Sequence, residues 1–179
     1  MITDLMGKSF NMLLAPNGKD IDLKEAEKLT YSSSGSMETS IAENFAGYFP
    51  NVPEKVINPG DAWISYDTVK MKTGTGSVNQ ILNTNHKFEG IVNVDGVDCA
   101  KITATFTGTR EQKGEAQGMD IYIKGDVTGN SELYFNVKDG YLVKEKSTSK
   151  MGGNLDISGA QNMSIPLTAD IKVDKFLKK

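Results

Sequence analysis

The 179 residues fit one domain with a substantial buried core, so the chain needs neither a disulfide bond nor a metal ion to fold. The 20 basic and 23 acidic residues give a formal net charge of −3, which is too balanced to indicate nucleic acid or an anionic membrane as a partner. The hydrophobic fraction of 38% is low, and the 18 glycines are typical of a chain with many strands and turns. We therefore expect a single domain over residues 1–179, a thin core and no nucleic-acid partner.

The start of the chain, Met1–Lys8, lacks the apolar stretch of a signal peptide. No later segment approaches the roughly 20 apolar residues of a membrane span, so we expect no span in this chain. If the protein is exported, its targeting segment must precede Met1 in the full-length reading frame. Cys99 is the only cysteine, which excludes an intrachain disulfide and leaves the redox compartment open.

Residues 1–50 are predicted to form a hairpin followed by a helix. The segments Ser9–Ala15 and Asp20–Leu23 flank a Pro-Asn-Gly sequence, which supplies the positive torsions of a tight turn. Lys24–Leu29 predicts a short helical turn. In Met37–Phe49 apolar residues recur at helical spacing, after a serine-rich loop that can supply an N-cap and before Pro50. This segment is predicted to be the one main helix.

Residues 61–179 are predicted to form antiparallel strands, after a proline-punctuated linker that runs extended over the surface. The clearest alternation of apolar and polar residues lies in Ala100–Thr107. The predicted strands are Ala62–Thr73, Asn79–Phe88, Gly90–Val94, Val97–Thr109, Met119–Lys124, Ser131–Val137, Tyr141–Thr148, Asn154–Ile157 and Met163–Val173. Between them, Asp95-Gly96, Gly129-Asn130, Asp139-Gly140 and Gly152-Gly153 predict hairpin turns.

A sheet of this width must curl or close, because flat sheets with long free edges are prone to aggregate. The predicted fold class is therefore mainly β with one main helix. We expect a curled antiparallel sheet or open barrel that is wrapped around or covered by the helix.

The residue types present give little indication of a nucleophilic active site or a metal site. His86 is the only histidine and has polar neighbours, so we expect it on the surface of a strand. With no second histidine and one distant cysteine, no nitrogen and sulfur cluster can form, and we expect no metal and no cofactor. Cys99 has no base beside it in the sequence and is predicted to be a small apolar residue of the sheet.

Two glycine-containing segments superficially match ligand-binding loops. Asn93–Asp98 has the oxygen-rich middle of a calcium loop, but the positions of the first ligand and of the bidentate carboxylate hold Ile91 and Ile102. Gly74–Ser77 lacks the lysine and the following helix of a phosphate-binding loop. Both segments are therefore predicted to be hairpin tips.

Carboxylates supply the remaining enzymatic hypothesis. A pair among Glu111, Glu115, Asp120, Asp126 and Glu132 could hydrolyse a glycosidic bond. Spacing along a chain does not establish the distance between two carboxyl groups, and among 23 acidic residues some will face each other by chance. A carboxylate-dependent hydrolase is therefore the third of three functional hypotheses.

Aromatic residues form the last candidate constellation, and they occur both on the predicted helix and on the strands. If the sheet curves around the helix, these rings meet and form either a packed core or an apolar pocket for a lipid-like ligand. Their regular spacing favours the core. In the pocket alternative, the predicted ligand-binding residues are Phe45, Tyr48, Phe49, Trp63 and Phe106.

Several turn and strand motifs spread over most of the chain resemble one group of proteins. They are Gly7–Phe10, Pro16–Gly18, Phe49–Pro50, Pro59–Trp63, Gly96–Ile102, Leu133–Phe135 and Asp139–Gly140. In these motifs the chain resembles the C-terminal part of bacterial envelope lipoproteins of unknown function. Their domains are similar in outline to the curled sheets with a helical plug of lipoprotein carriers and periplasmic lipid binders.

The resemblance implies a location in the cell envelope, periplasmic or at the outer surface. It also implies a non-enzymatic module that binds an apolar or amphiphilic ligand on a concave sheet face, and this is the first functional hypothesis. The second is a structural or protein-interaction domain of an envelope lipoprotein. The chain departs from the resemblance at its front, and Cys99 lies too deep in the sheet to be a lipidated residue.

Overall fold

The computed structural model describes residues 5–15, 20–31, 39–45, 51–73, 76–159 and 162–176. In the first part of the chain the elements are short. They are β1 (Leu13–Leu14), β2 (Asp20–Asp22), α1 (Lys24–Glu27), β3 (Thr30–Tyr31), β4 (Thr39–Ser40) and α2 (Ala42–Phe45). Strands β1 and β2 pair antiparallel, which confirms the predicted hairpin, and α1 confirms the predicted helical turn.

Six long strands form the main sheet. They are β5 (Ala62–Thr73), β6 (Gly76–Val94), β7 (Val97–Ala116), β8 (Met119–Asn136), β9 (Tyr141–Ser158) and β10 (Met163–Phe176). Each strand pairs antiparallel with the next strand along the chain, so the sheet is a meander in sequence order. The first and last strands, β5 and β10, do not pair with each other, and the sheet is not closed into a barrel.

The prediction of one main helix is wrong. Within the predicted helix Met37–Phe49, the described residues form strand β4 and the four-residue helix α2. The buried Ser40 hydroxyl accepts a hydrogen bond from the Ala42 backbone N–H at 3.1 Å and donates to the Ala26 carbonyl at 3.1 Å. Ser40 therefore caps α2 and ties it to α1, so the helical pattern is cut short by a polar side chain. In the part of the chain that is described, no helix is long and apolar enough to cross a membrane.

Two of the predicted hairpin tips lie inside strands instead. Gly129-Asn130 lies in β8 and Gly152-Gly153 lies in β9, and each pair keeps its register with both neighbouring strands. By contrast, Asp95-Gly96 and Asp139-Gly140 do form turns, as predicted. At the first of these, Asp95 and Gly96 both have positive φ, of 50° and 85°, as a two-residue hairpin turn requires.

Alternation along the strands gives the sheet two faces, which we name by the residues they carry. The inner face carries Trp63, Thr84, Phe106, Val127 and Met151, which the strand registers place on one side. The outer face carries the residues between them. A Cβ built on Gly129 would overlap the Phe106 ring and the Thr148 carbonyl oxygen, so glycine is needed at this position of the inner face.

Two apolar clusters pack at opposite ends of the inner face. The first joins Ala26 and Ala42 of the short helices to Val78, near the start of β6. The second joins Phe88, at the other end of β6, to its neighbours Ile102, Leu133 and Leu142. The assignment of residues 1–179 to a single domain stays a prediction.

The segment before β5 packs against the second cluster and does not merely run over the surface. Val52 and Ile57 contact this cluster with partly buried side chains. The Gly60 N–H donates to the Phe88 carbonyl at 2.7 Å, and the Phe88 N–H donates to the Asp61 carbonyl at 2.9 Å. These bonds hold the predicted linker against the end of the inner face.

The close packing at Gly129 predicts the effect of a single methyl group. We expect Gly129→Ala to lower the free energy of unfolding by about 1–3 kcal/mol, because either Phe106 or the β9 backbone must shift. Gly152, where an added Cβ meets nothing within 4 Å, is the matched control. Gly152→Ala should change stability by no more than about 0.5 kcal/mol in urea denaturation. Equal effects of the two substitutions would contradict the packing argument.

Candidate functional site

A groove with a volume of about 680 Å³ lies on the inner face between the two apolar clusters. All six strands contribute to its lining. One residue from each strand in order is Asp67, Thr84, Phe106, Val127, Met151 and Ile171. The groove therefore extends across the full width of the sheet.

Apolar side chains form the middle of the groove. Leu82, Phe106, Val127, Met151 and Ile171 lie there on five neighbouring strands. Val127 and Met151 form a cross-strand pair and are 8% and 7% exposed. This strip presents hydrocarbon surface to whatever occupies the groove.

Hydrogen-bonded polar side chains lie on the side of the groove formed by β5 and β6. The Ser65 hydroxyl donates to Asp67 Oδ2 at 2.8 Å and lies 3.0 Å from Nε2 of His86. Asn51 Nδ2 donates to the other oxygen of Asp67 at 3.4 Å. Three strand residues and the segment before β5 are thereby joined into one chain of hydrogen bonds.

Trp63, on the edge strand β5, contacts both His86 and Asn51 of this chain of hydrogen bonds. Its indole ring stacks on the His86 imidazole, with ring centroids 5.1 Å apart and an interplanar angle of 12°. Its Nε1–H donates to the Asn51 carbonyl at 2.7 Å. Trp63 therefore orients His86 and anchors the preceding segment at the same time.

His86 is buried, with 8% of its surface exposed, and its Nδ1 has no hydrogen-bond partner among the described residues. Burial lowers the pKa of the imidazole, and the nearby Asp67 carboxylate partly offsets this by raising it. The imidazole is therefore neutral near pH 7. A buried polar atom left without a partner costs about 1–3 kcal/mol, so this nitrogen is a cost to the folded protein as it stands.

The only arginine of the chain also lines the groove. Arg110 donates to Gln80 at 3.1 Å and to Gln112 at 3.3 Å, and both partners flank it on the inner face. Farther along the groove, Glu145 forms an ion pair with Lys175 at 3.0 Å. These charged side chains are held by neighbours in the sheet.

The predicted ligand-binding residues do not come together as expected. Phe106 lines the groove, and Trp63 lies beside it against His86. Phe45 packs edge-to-face against Phe10, with ring centroids 4.9 Å apart. Tyr48 and Phe49 lie outside the described residues. The structure thus joins Trp63 and Phe106 to the groove and places Phe45 with the N-terminal elements.

The prediction that His86 lies on the surface of its strand is wrong. Its sequence neighbours are polar because they lie on the outer face, whereas Leu82, Thr84 and Phe88 share the inner face with it. The same alternation, counted from Trp63, places Ser65 and Asp67 inward. This period of two was the signal that could have identified all three polar residues.

Cys99 is fully buried, as predicted, and burial raises the pKa of its thiol. A thiol with a raised pKa is a poor nucleophile. No group of three or more histidine, cysteine or acidic side chains that could hold a metal ion occurs among the described residues.

The polar chain differs from a serine-hydrolase triad. In a triad the carboxylate accepts from Nδ1 of the histidine and orients it. Here Asp67 accepts from the serine, and Nδ1 has no partner within the described segments. Among the predicted carboxylates, Glu111 pairs with Lys124 at 3.0 Å and Glu132 lies 3.7 Å from Lys101. Neither carboxylate lines the groove on the inner face.

Polar side chains of the outer face bond to one another. Thr148 donates to Asn130 at 2.6 Å, and Thr103 donates to Glu89 at 2.9 Å. Tyr134 lies here, with the amino groups of Lys101 and Lys144 5.7 Å and 5.9 Å from its ring centroid. Such mutually satisfied, solvated side chains are typical of an exposed sheet face.

No family model, curated protein or solved structure matches this chain. The resemblance to envelope lipoproteins therefore stays a prediction, and the groove itself is the basis for a functional proposal.

The buried imidazole predicts a specific dependence of stability on pH. The unfolded chain protonates its histidine near pH 6.5, and the folded protein does so only at lower pH. The unfolded state therefore binds more protons as the pH falls through about 6.5, and the free energy of unfolding decreases until the folded pKa is reached. Because this is the only histidine, we expect His86→Gln to reduce the loss of stability between about pH 7.5 and pH 5.5.

Urea denaturation at the two pH values measures this effect, with the outer-face variant Asn85→Gln as the matched control. The control should keep the pH dependence of the native protein. A histidine variant with the same dependence as the control would show that His86 titrates as it does in the unfolded chain.

Proposed function

We propose that this protein is a non-enzymatic binding module that holds one amphiphilic small molecule in the groove of the inner face. The proposal rests on the groove itself, which combines an apolar strip with a hydrogen-bonded polar side. Its volume of about 680 Å³ lies within the range of small-molecule sites in proteins.

An amphiphile fits this lining better than a purely apolar ligand. Leu82, Phe106 and Met151 favour a hydrocarbon chain, whose transfer from water is favourable in proportion to the apolar area buried. Covering the half-buried Asp67 with hydrocarbon alone would remove its carboxylate from water without supplying a new hydrogen bond. A ligand with one polar end avoids that cost.

We also propose the cell envelope as the location, which the resemblance to envelope lipoproteins supports. Lipids and other amphiphiles are abundant there, so the location and the chemistry of the groove agree. The full-length reading frame tests this proposal, because it either contains a signal peptide with a lipidation site or lacks one.

A protein-interaction domain is the second candidate function. Strand β10 is an edge of the sheet, and its Met163, Ile165 and Phe176 side chains are 51%, 40% and 72% exposed. An exposed edge can pair with a strand of another chain, although Pro166 in the same strand lacks the N–H that such pairing uses. Size-exclusion chromatography with light scattering tests this candidate, which needs a stable dimer or a stable complex with a partner.

Filling the groove should abolish ligand binding. Ser149 lies in the lining opposite Gly129, and Ser149→Trp would place an indole ring in the space that a ligand occupies. We expect the native protein to bind the fluorescent apolar probe N-phenyl-naphthylamine and to release it when decanol is added. In the Ser149→Trp variant, affinity for both should fall on the order of tenfold or more, equivalent to about 1.4 kcal/mol.

The matched control is Thr107→Trp, which adds the same ring to an exposed outer-face position next to Phe106. This variant should bind both compounds as the native protein does. If the native protein does not bind the probe, or if both tryptophan variants bind equally well, the groove is not a ligand site.

A further inference from the structure

The unpartnered nitrogen of His86 lies in a row of inner-face residues that runs across the strands. On one side the imidazole stacks on Trp63. On the other side its cross-strand neighbour is Ala104, followed by Ser131 and Ser147. All four residues from His86 to Ser147 line the groove. Large and small side chains are thus distributed so that space remains on the side of the imidazole away from Trp63.

The hydrogen bonds of Ser65 determine which ring nitrogen of His86 carries the proton and which can accept a hydrogen bond. A hydroxyl has one proton, and the carboxylate of Asp67 at 2.8 Å is a stronger acceptor than a neutral imidazole nitrogen at 3.0 Å. The Ser65 proton therefore belongs to the bond with Asp67. The Ser65 oxygen then accepts from Nε2–H of His86, and in this neutral tautomer Nδ1 carries a lone pair and no proton.

Nδ1 is thus a buried acceptor without a donor in the part of the chain that the structure describes. Nδ1 itself has almost no surface accessible to water, so water does not satisfy it in the free protein, and a ligand donor reaches it only when a side chain of the groove lining moves. The hydroxyls of Ser131 and Ser147, farther along the same row, can each donate and accept a hydrogen bond. The row therefore contains both hydrogen-bond donors and hydrogen-bond acceptors, and none of its side chains is charged.

We propose that His86, Ser131 and Ser147 form the head-group subsite of the groove, where Nδ1 of His86 accepts a hydrogen bond from an uncharged donor of an amphiphile, either a hydroxyl or an amide N–H. This assignment rests on the proposed function of the groove as a binding site. The apolar strip from Leu82 to Met151 takes the hydrocarbon part of the same molecule.

The surroundings of His86 disfavour charged head groups. A carboxylate or phosphate has no proton to donate to Nδ1 near pH 7, and it would lie close to the negative Asp67. An ammonium group would be attracted by Asp67 but would lose its hydration at a buried position. The same desolvation lowers the pKa of His86 itself, so this position already disfavours a positive charge.

Competition for the bound fluorescent probe N-phenyl-naphthylamine tests the subsite with compounds that share one alkyl chain. Decanol and decanamide carry the donor, and N,N-dimethyldecanamide keeps the amide carbonyl but lacks it. Decanoate and decylamine carry opposite charges. We expect the native protein to bind decanol and decanamide on the order of tenfold more tightly than the dimethylated amide, which is the ratio that one hydrogen bond supplies. The two charged compounds should bind more weakly than decanamide.

The substitution His86→Phe removes the acceptor and retains a ring that can stack on Trp63. In this variant, decanamide and its dimethylated form should bind equally, with the affinity of the dimethylated form unchanged from the native protein. The outer-face variant Asn85→Ala is the control and should discriminate as the native protein does. If the native protein binds the probe but does not distinguish the two amides, or prefers decylamine or decanoate, the subsite proposal is overturned while the proposed function stands. If no compound binds, the proposed function fails as well.

A second measurement on the native protein does not depend on the folding of a variant. Because the chain has one histidine, the nitrogen NMR shifts of its ring can be assigned without ambiguity. We expect Nδ1 to show the shift of an unprotonated ring nitrogen and to move towards that of a hydrogen-bonded nitrogen when decanamide is added. The dimethylated amide should leave it in place. A proton on Nδ1 in the free protein would overturn the assignment of this atom as the acceptor.

Discussion

The structure depends on the backbone hydrogen-bond ladders between six long strands. Once the register of one strand pair is set, every second residue of every strand faces inward, and no side chain can change sides without a bulge. The strands of 12 to 20 residues are long for a protein sheet, so this constraint extends over a wide surface. The sheet does not close into a barrel, and other segments cover the two ends of its inner face.

The groove follows from how these ends are covered. The short helices pack against Val78, and the segment before β5 packs against Phe88, which leaves the middle of the inner face between them. In that middle, the side chains change across the sheet from the polar chain of Ser65, Asp67 and His86 to an apolar strip. An open volume with polar side chains on one side and apolar side chains on the other is the feature on which the proposed binding role rests.

The strands were easier to predict from the sequence than the connections between them. Residues Ala100–Thr107 alternate so regularly that β7 and its faces could be read directly, and the turn at Asp95-Gly96 follows from the torsions it needs. The same glycine signal failed at Gly129-Asn130 and Gly152-Gly153. At Gly129 and Gly153 an added Cβ would overlap atoms of a neighbouring strand, and a local pattern cannot distinguish this need for glycine from that of a turn. The predicted main helix failed for a related reason, because its apolar spacing does not reveal that Ser40 bonds to Ala26 and caps only four residues.

By itself the sequence determined an antiparallel meander, the two faces of Ala100–Thr107, and the burial of Cys99. It also supplied one residue of the groove lining, Phe106, and the ring that orients His86, Trp63. Only the tertiary structure decided that His86, Ser65 and Asp67 meet on the inner face and that all six strands surround one groove. The physical reason is the range of the interactions. Alternation and turn torsions are local properties of a few neighbouring residues, whereas the contact between Ser65 and His86 joins residues 21 positions apart through the pairing of two strands.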